Sequence, residues 1–408
     1  MISYSSQSNI SQQQLPHHPN KAFTLIELLV VIAIVGILST LSVVAFNSAR
    51  SKARDSRRLS DIHNLSLALE MYYNDFGAYP PAPTSTGIIG GLCLSDLGIT
   101  STCGLNTYIA KIPDDPKNNK HYLYSTVVNP QHYELIYEEE TNTDDCPSNW
   151  VKVPGNTLYN TRTFCVMQYE AKIKGQDNGN QTYSASYEPE SRPGGTPWVN
   201  ITQPNAKNEC QSIGAHLVTE DEWLTIVRNI ELQPTNWSSG QIGSGYIPRG
   251  NSDSDAAMDG TDHFTGINQR NLVLSNGAII WDIAGNVWEW TDATILGRDQ
   301  PTGSSTPQTF GWYEYSNLLT YGVLPPERLL PLNPSWNANQ GYGRIYSSGA
   351  PNNSNTYVFL RGGRWDGGTY AGVLGLPLYS GAVAGVLALN LNYGTSRTYL
   401  NVGFRCAR

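Results

Sequence analysis

The side chains that could do chemistry in this sequence are its cysteines and a few of its carboxylates. The six cysteines, at positions 93, 103, 146, 165, 210 and 406, include no CxxC pair, which excludes zinc knuckles and thioredoxin-like redox sites. The seven histidines are scattered, without HExxH or another dense ligand cluster. There is neither a GxSxG elbow nor a P-loop. The run NSDSDAAMDGTD (251–262) has ligand-like spacing, but Ala256 stands where an EF-hand loop needs Gly, so it reads as a solvated loop. Glu27 is the unusual carboxylate, because it is the only charge between Phe23 and Phe46. A lone carboxylate in a bilayer costs roughly 2.5–3.5 kcal/mol near a helix centre and is tolerated near a helix end or when paired. The net charge of −8 excludes nucleic-acid affinity driven by counterion release over the whole chain.

The segment around Glu27 sets the organisation. Residues 1–21 are polar, and Leu28 to Phe46 is uncharged for long enough to cross a membrane as a helix. The candidate cleavage site, Lys21-Ala22, precedes the apolar run instead of following it as in a secretory signal. A basic residue, a small residue, then Phe-Thr-Leu-Ile-Glu and an apolar helix resembles the type IV prepilin family, including the pseudopilins. The resemblance implies a leader over 1–22, cleavage by a prepilin peptidase between Ala22 and Phe23, N-methylation of Phe23, and a membrane helix over 23–46. It also implies other pilin subunits as partners, the freed amine of a neighbour's Phe23 facing Glu27. Ala22 stands where the family has Gly. Arg50, Lys52, Arg54, Arg57 and Arg58 follow the helix and would favour a cytoplasmic flank. All six cysteines lie beyond it, however, in a pattern of disulfides, and the bulk of the chain is placed outside the cell.

The helix is expected to run through 23–78, with Leu59, Ile62, Leu65, Leu69 and Tyr72 on one face and Gly77 and Pro80 ending it. Residues 79–143 read as a small pilin-like β region, in which YLYSTVV and HYELIYEE alternate apolar and polar side chains. Cys93 and Cys103 can close a short loop there. Cys146 and Cys165 are also expected in disulfides.

From TNTDDCPSNW (141–150) onward the texture changes to Gly, Asn, Ser and Trp, marking a second domain over 144–408. Helices are expected at NAKNECQSIG and after Thr219, whose side chain with Glu222 makes a capping box. CQSIGAHLVTEDEW (210–223), WDIAGNVWEWTD (281–292), LRGGRW (360–365) and GFRCAR (403–408) together resemble the formylglycine-generating enzyme and sulfatase-modifying-factor family, a branch of the C-type lectin fold. His216 and Val218 replace the family's Arg and Pro. The resemblance implies a Cys210–Cys406 bridge. It also implies a calcium site built from the side chains of Asp282 and Glu289 and the carbonyls of Gly285 and Val287, although no cofactor is required. The family's oxidase needs two reactive cysteines after Arg-Gly-Gly, and Gly372 and Pro377 occupy those places. No catalysis is therefore expected.

The tail, 361–408, is similar to the variable regions of diversity-generating retroelement target proteins, in which template adenines are randomised. That resemblance implies Arg364, Asp366, Gly367, Tyr370, Tyr379, Ser380, Val383, Asn392, Tyr393, Arg397, Tyr399 and Asn401 as varied, ligand-binding positions. AGVLGLPL (371–378) and AGVLALNL (384–391) form a near-repeat. In the second copy Leu387, Leu389 and Leu391 are expected on a core face, with Val386, Ala388, Asn390 and Asn392 opposite. Tyr and Arg are hot-spot residues; Trp365 reads as scaffold. The fold class is α+β: a long transmembrane helix with a small pilin-like sheet, then a C-type-lectin-like domain. The function expected is a membrane-anchored display protein binding a protein or glycan ligand. The alternatives are a formylglycine-generating type of oxidase and a minor pilin that caps a fibre.

Overall fold

A single helix, α1, runs from Leu25 to Phe76. The computed structural model describes residues 25–127, 131–140, 146–254, 256–260, 265–306, 310–365 and 383–408; Ala22 and Phe23 lie outside them. The chain divides into two units, Met1–Ser51 and Lys52–Arg408. In the first, the apolar side chains of α1 are bare, with Ile26 74% and Phe46 66% exposed. The hydroxyls of Ser39, Thr40 and Ser42 donate back to the carbonyls of Val35, Ile37 and Leu38, which satisfies these three hydroxyl protons without water. Glu27 sits in the first turn. This part of α1 has the length and composition to cross a membrane.

In the second unit α1 buries a stripe formed by Ile62, Leu65, Ala68, Leu69 and Tyr72 against Ile89, Leu94, Ile112, Tyr124 and Leu135. Gly77, at φ 69°, ends the helix, its N–H donating to the Tyr73 carbonyl at 2.7 Å. Leu59, expected on this face, is 41% exposed. One residue earlier, Arg58 takes the place: it is buried and pairs with Asp55, Asp115 and Glu140 at 2.6–2.8 Å. The 3.6-residue period continues through 55 and 58, but with ions in place of methyl groups.

Arg54 and Arg58 together hold the Glu140 carboxyl down at about 2. The linked stability is therefore complete above the ordinary carboxylate value of 4.5 and is lost as pH falls towards about 2. Acid titration followed by circular dichroism should show this loss, and Glu140→Gln should make the curve shallower over that interval.

The expected strands form as Leu123–Val127 and His132–Tyr137, paired antiparallel. Their sheet is completed from across the expected boundary, because Gly155–Asn156 pairs with Ile136 and Tyr137. Glu134 of this sheet lies buried beside Arg228, 3.7 Å away, and Arg228 also pairs with Glu231 at 2.6 Å. Base and head are thus joined by a shared sheet and a buried ionic cluster.

The head is a mixed α+β structure. Its main sheet runs in the order Gly311–Tyr313, Ile345–Ser347, Leu389–Asn390, Thr356–Arg361, Trp288–Leu296, Val402–Phe404. Helix α2 (Gln203–Ser212) begins earlier than expected, because Pro204 is compatible with a first turn capped by Thr202. Helix α3 (Glu220–Glu231) has the Thr219–Glu222 capping box. Two apolar layers flank the main sheet, one holding Trp223, Ile345, Leu387 and Leu389, the other Trp198, Trp290, Leu360 and Phe404. The expected core face forms at Leu387, Leu389 and Leu391, all inaccessible, and on the opposite face Val386 and Ala388 are inaccessible and Asn390 is 5% exposed, while Asn392 is exposed. A central strand between two layers has no wet face. The first repeat copy lies outside the described residues.

Candidate functional site

The turn Trp281–Trp288 is built on left-handed backbone at Asp282, Gly285 and Asn286. A Cβ on Gly285 would stand 2.5 Å from the Asn251 carbonyl, so this close approach needs glycine. Of the four expected calcium ligands, the two side chains are both engaged. Asp282 accepts from Arg270 at 2.7 and 2.8 Å. Glu289 accepts from Arg405 at 2.6 and 2.5 Å, and Arg405 also donates to the carbonyls of Met167 and Trp281. Guanidinium groups, which are not hard-cation partners, thus face both carboxylates in this structure. Among the described residues no group of three or more His, Cys, Asp or Glu is placed to hold a metal.

Beneath the turn, Glu170 accepts from the amide of Val287 and the side chain of Asn286, with Lys172 4.0 Å away. Burial pushes the Glu170 carboxyl up to about 8 and the Lys172 amine down.

All six cysteines are paired, as Cys93–Cys103, Cys146–Cys165 and Cys210–Cys406. A thiol in a disulfide is neither a nucleophile nor a metal ligand, so thiol-dependent oxidation has no group to use.

The described part of the tail is anchored at three points. Cys406 is buried against Cys210 on α2, Arg405 against Glu289, and Arg361 against Glu220 at the start of α3. The strand Cys406–Ala407 pairs with His216–Leu217. His216 Nε2 lies 2.8 Å from Glu222, and that carboxylate raises the imidazole pKa. The pairing therefore stabilises fully below 6.5, the ordinary histidine value, and its contribution disappears as pH rises through the elevated one. Unfolding measured from pH 6 to 9 should show wild type losing its advantage over His216→Gln as pH rises.

Among the described residues of the tail, the loop 392–400 is accessible. Asn392, Arg397 and Leu400 are exposed, and Tyr393 and Tyr399 are half-buried, their rings 4.4 Å apart at 61°. The loop is pinned by Val358 N–H to the Tyr393 carbonyl, Asn200 N–H to the Tyr399 carbonyl and Trp288 N–H to the Asn401 carbonyl, at 2.9–3.0 Å. Of the other candidates, Arg364 is half-buried, and Val383 and Asn401 are buried, which leaves them little to offer a partner. Asp366, Gly367, Tyr370, Tyr379 and Ser380 lie outside the described residues. Trp365 is half-buried, its backbone bonded to Asn286 and Ser254.

The structure adds rings that the sequence reading missed. Trp312, with Tyr393 and Tyr399, packs on the layer of Trp288, Val358 and Leu360, and Tyr346 lies 4.8 Å from Trp312. The signal was the dense FGWYEY run at 310–315.

A family model, the prokaryotic N-terminal methylation motif, matches residues 18–43. The type II secretion system core protein G of Escherichia coli (strain K12) is 34% identical over 137 residues, covering 32% of this chain and 90% of that protein. The type IV major pilin protein PilE1 of Neisseria gonorrhoeae is 38% identical over 68 residues, covering 17% and 41%. Among solved structures, the major tropism determinant U1 variant overlaps 80% of this chain and 74% of its own at 12% identity, TM-score 0.29. PvdO from Pseudomonas aeruginosa overlaps 72% and 96% at 15% identity, TM-score 0.30. The apolar helix is a single-pass membrane anchor, and the C-terminal domain is extracellular. Through its N-terminal third, the chain belongs to the family of the type II secretion system core protein G.

Proposed function

We propose that this is a membrane-anchored, pilin-like display protein whose head, a C-type-lectin-type domain, carries a hypervariable recognition face. The observation that carries the reading is the contrast within the tail. Residues 402–408 are bolted into the core by a disulfide and a buried ion pair, while the 392–400 loop presents Tyr, Arg, Asn and Leu to solvent. A rigid scaffold loses little ordering entropy on contact, and half-exposed Tyr and Trp give large contact area with few rotors. Processing between Ala22 and Phe23, methylation of Phe23 and pairing of Glu27 with a neighbouring subunit belong to the same reading, with a prepilin peptidase and other pilin subunits as partners.

Sequencing the locus across isolates tests it. Differences should concentrate at the codons of Asn392, Tyr393, Arg397 and Tyr399 and of the candidates between 364 and 380, beside a reverse transcriptase gene and a near-copy of the tail codons. Differences spread evenly over the head would instead favour a structural fibre cap.

A further inference from the structure

We infer that the 392–400 loop docks an acidic protein surface with an apolar centre; the inference rests on the recognition reading above. Charge is the first argument. The chain carries −8 overall, yet from Gly367 to Arg408 there is no Asp or Glu. Arg397 is exposed at the loop tip and has no carboxylate partner among the described residues. A cation left uncompensated on an acidic protein steers partners of opposite sign and rejects basic ones.

Shape and polarity supply the second argument. The two tyrosine rings meet at 61°, so one presents its edge to the other and together they form no flat double platform for a sugar ring. Leu400, next to Tyr399, is 59% exposed, and covering it requires an apolar side chain from the partner. A polysaccharide supplies carboxylates but no such side chain, whereas a protein supplies both. Asn392 and Ser396, also exposed, give the polar rim that surrounds an apolar contact.

The test uses the full chain in lipid nanodiscs. A displayed random peptide library is selected on wild type and on Arg397→Glu, with immobilised alginate and dextran as parallel arms. Wild type should enrich peptides that combine Asp or Glu with Leu, Ile or Phe. Arg397→Glu, which leaves the fold intact because Arg397 is exposed, should retain those peptides about tenfold less and enrich Lys and Arg instead. Peptides without acidic bias, or the same sequences selected by both proteins, overturn the inference. So does alginate retention that is lost in Arg397→Glu without any acidic peptide enrichment. If wild type retains neither peptides nor polysaccharides, the recognition reading itself falls with it.

Discussion

Arg405→Leu is expected to lower the free energy of unfolding by about 3–5 kcal/mol, the range for breaking one side of a buried ion pair. Arg405 is inaccessible and Glu289 is 1% exposed, so the substitution strands a carboxylate with no water to receive it. Three carbonyls, of Met167, Trp281 and Asp282, lose a donor in the same step. The double variant Arg405→Leu, Glu289→Leu should recover much of the loss, because a matched apolar pair avoids the desolvation penalty. Urea denaturation of the three proteins decides the matter. A single variant as stable as wild type would mean that the pair does not hold the turn. Because guanidinium groups occupy the carboxylates, chelator should leave the wild-type midpoint unchanged.

Removing the Cys210–Cys406 bridge should be comparably severe. Its cysteines are 196 residues apart, and loop-closure entropy for such a span is worth about 5 kcal/mol. The Cys93–Cys103 bridge spans 10 residues and is worth about 3 kcal/mol on the same scale. Serine pairs at each bridge, compared by thermal unfolding, should rank in that order, with the first also freeing the terminal strand from His216–Leu217. Equal losses would show that unfolded-state entropy is not what these bridges control.

Local signals in the sequence were legible where one short segment carries the whole instruction. The membrane run, the Thr219–Glu222 box and the stop at Gly77 are of this kind, each a matter of neighbours within a turn or two. The periodic face of α1 was readable at Ile62, Leu65, Leu69 and Tyr72. It failed at Leu59, because an ionic stripe through Arg58 has no hydrophobic signature. The shared strand Gly155–Asn156 was invisible: two residues of low β-propensity carry no period, and their partner lies about twenty positions back. The turn at Asp282–Glu289 was located, but the arginines that face its carboxylates were not. Arg405 meets Glu289 across 116 residues, and spacing within the motif says nothing of a partner at that distance. In the tail, alternation placed Leu387, Leu389 and Leu391 on a core face, and only the second apolar layer shows why Ala388 opposite them is buried too.

The Gly155–Asn156 strand has a mechanical corollary. With the head's own backbone stitched into the base sheet and Arg228 wedged between Glu134 and Glu231, the described residues couple head and base at two places. Under the proposed function, a pull on a partner held by the outer loop would pass through these two joints towards the Arg58 cluster of the same unit.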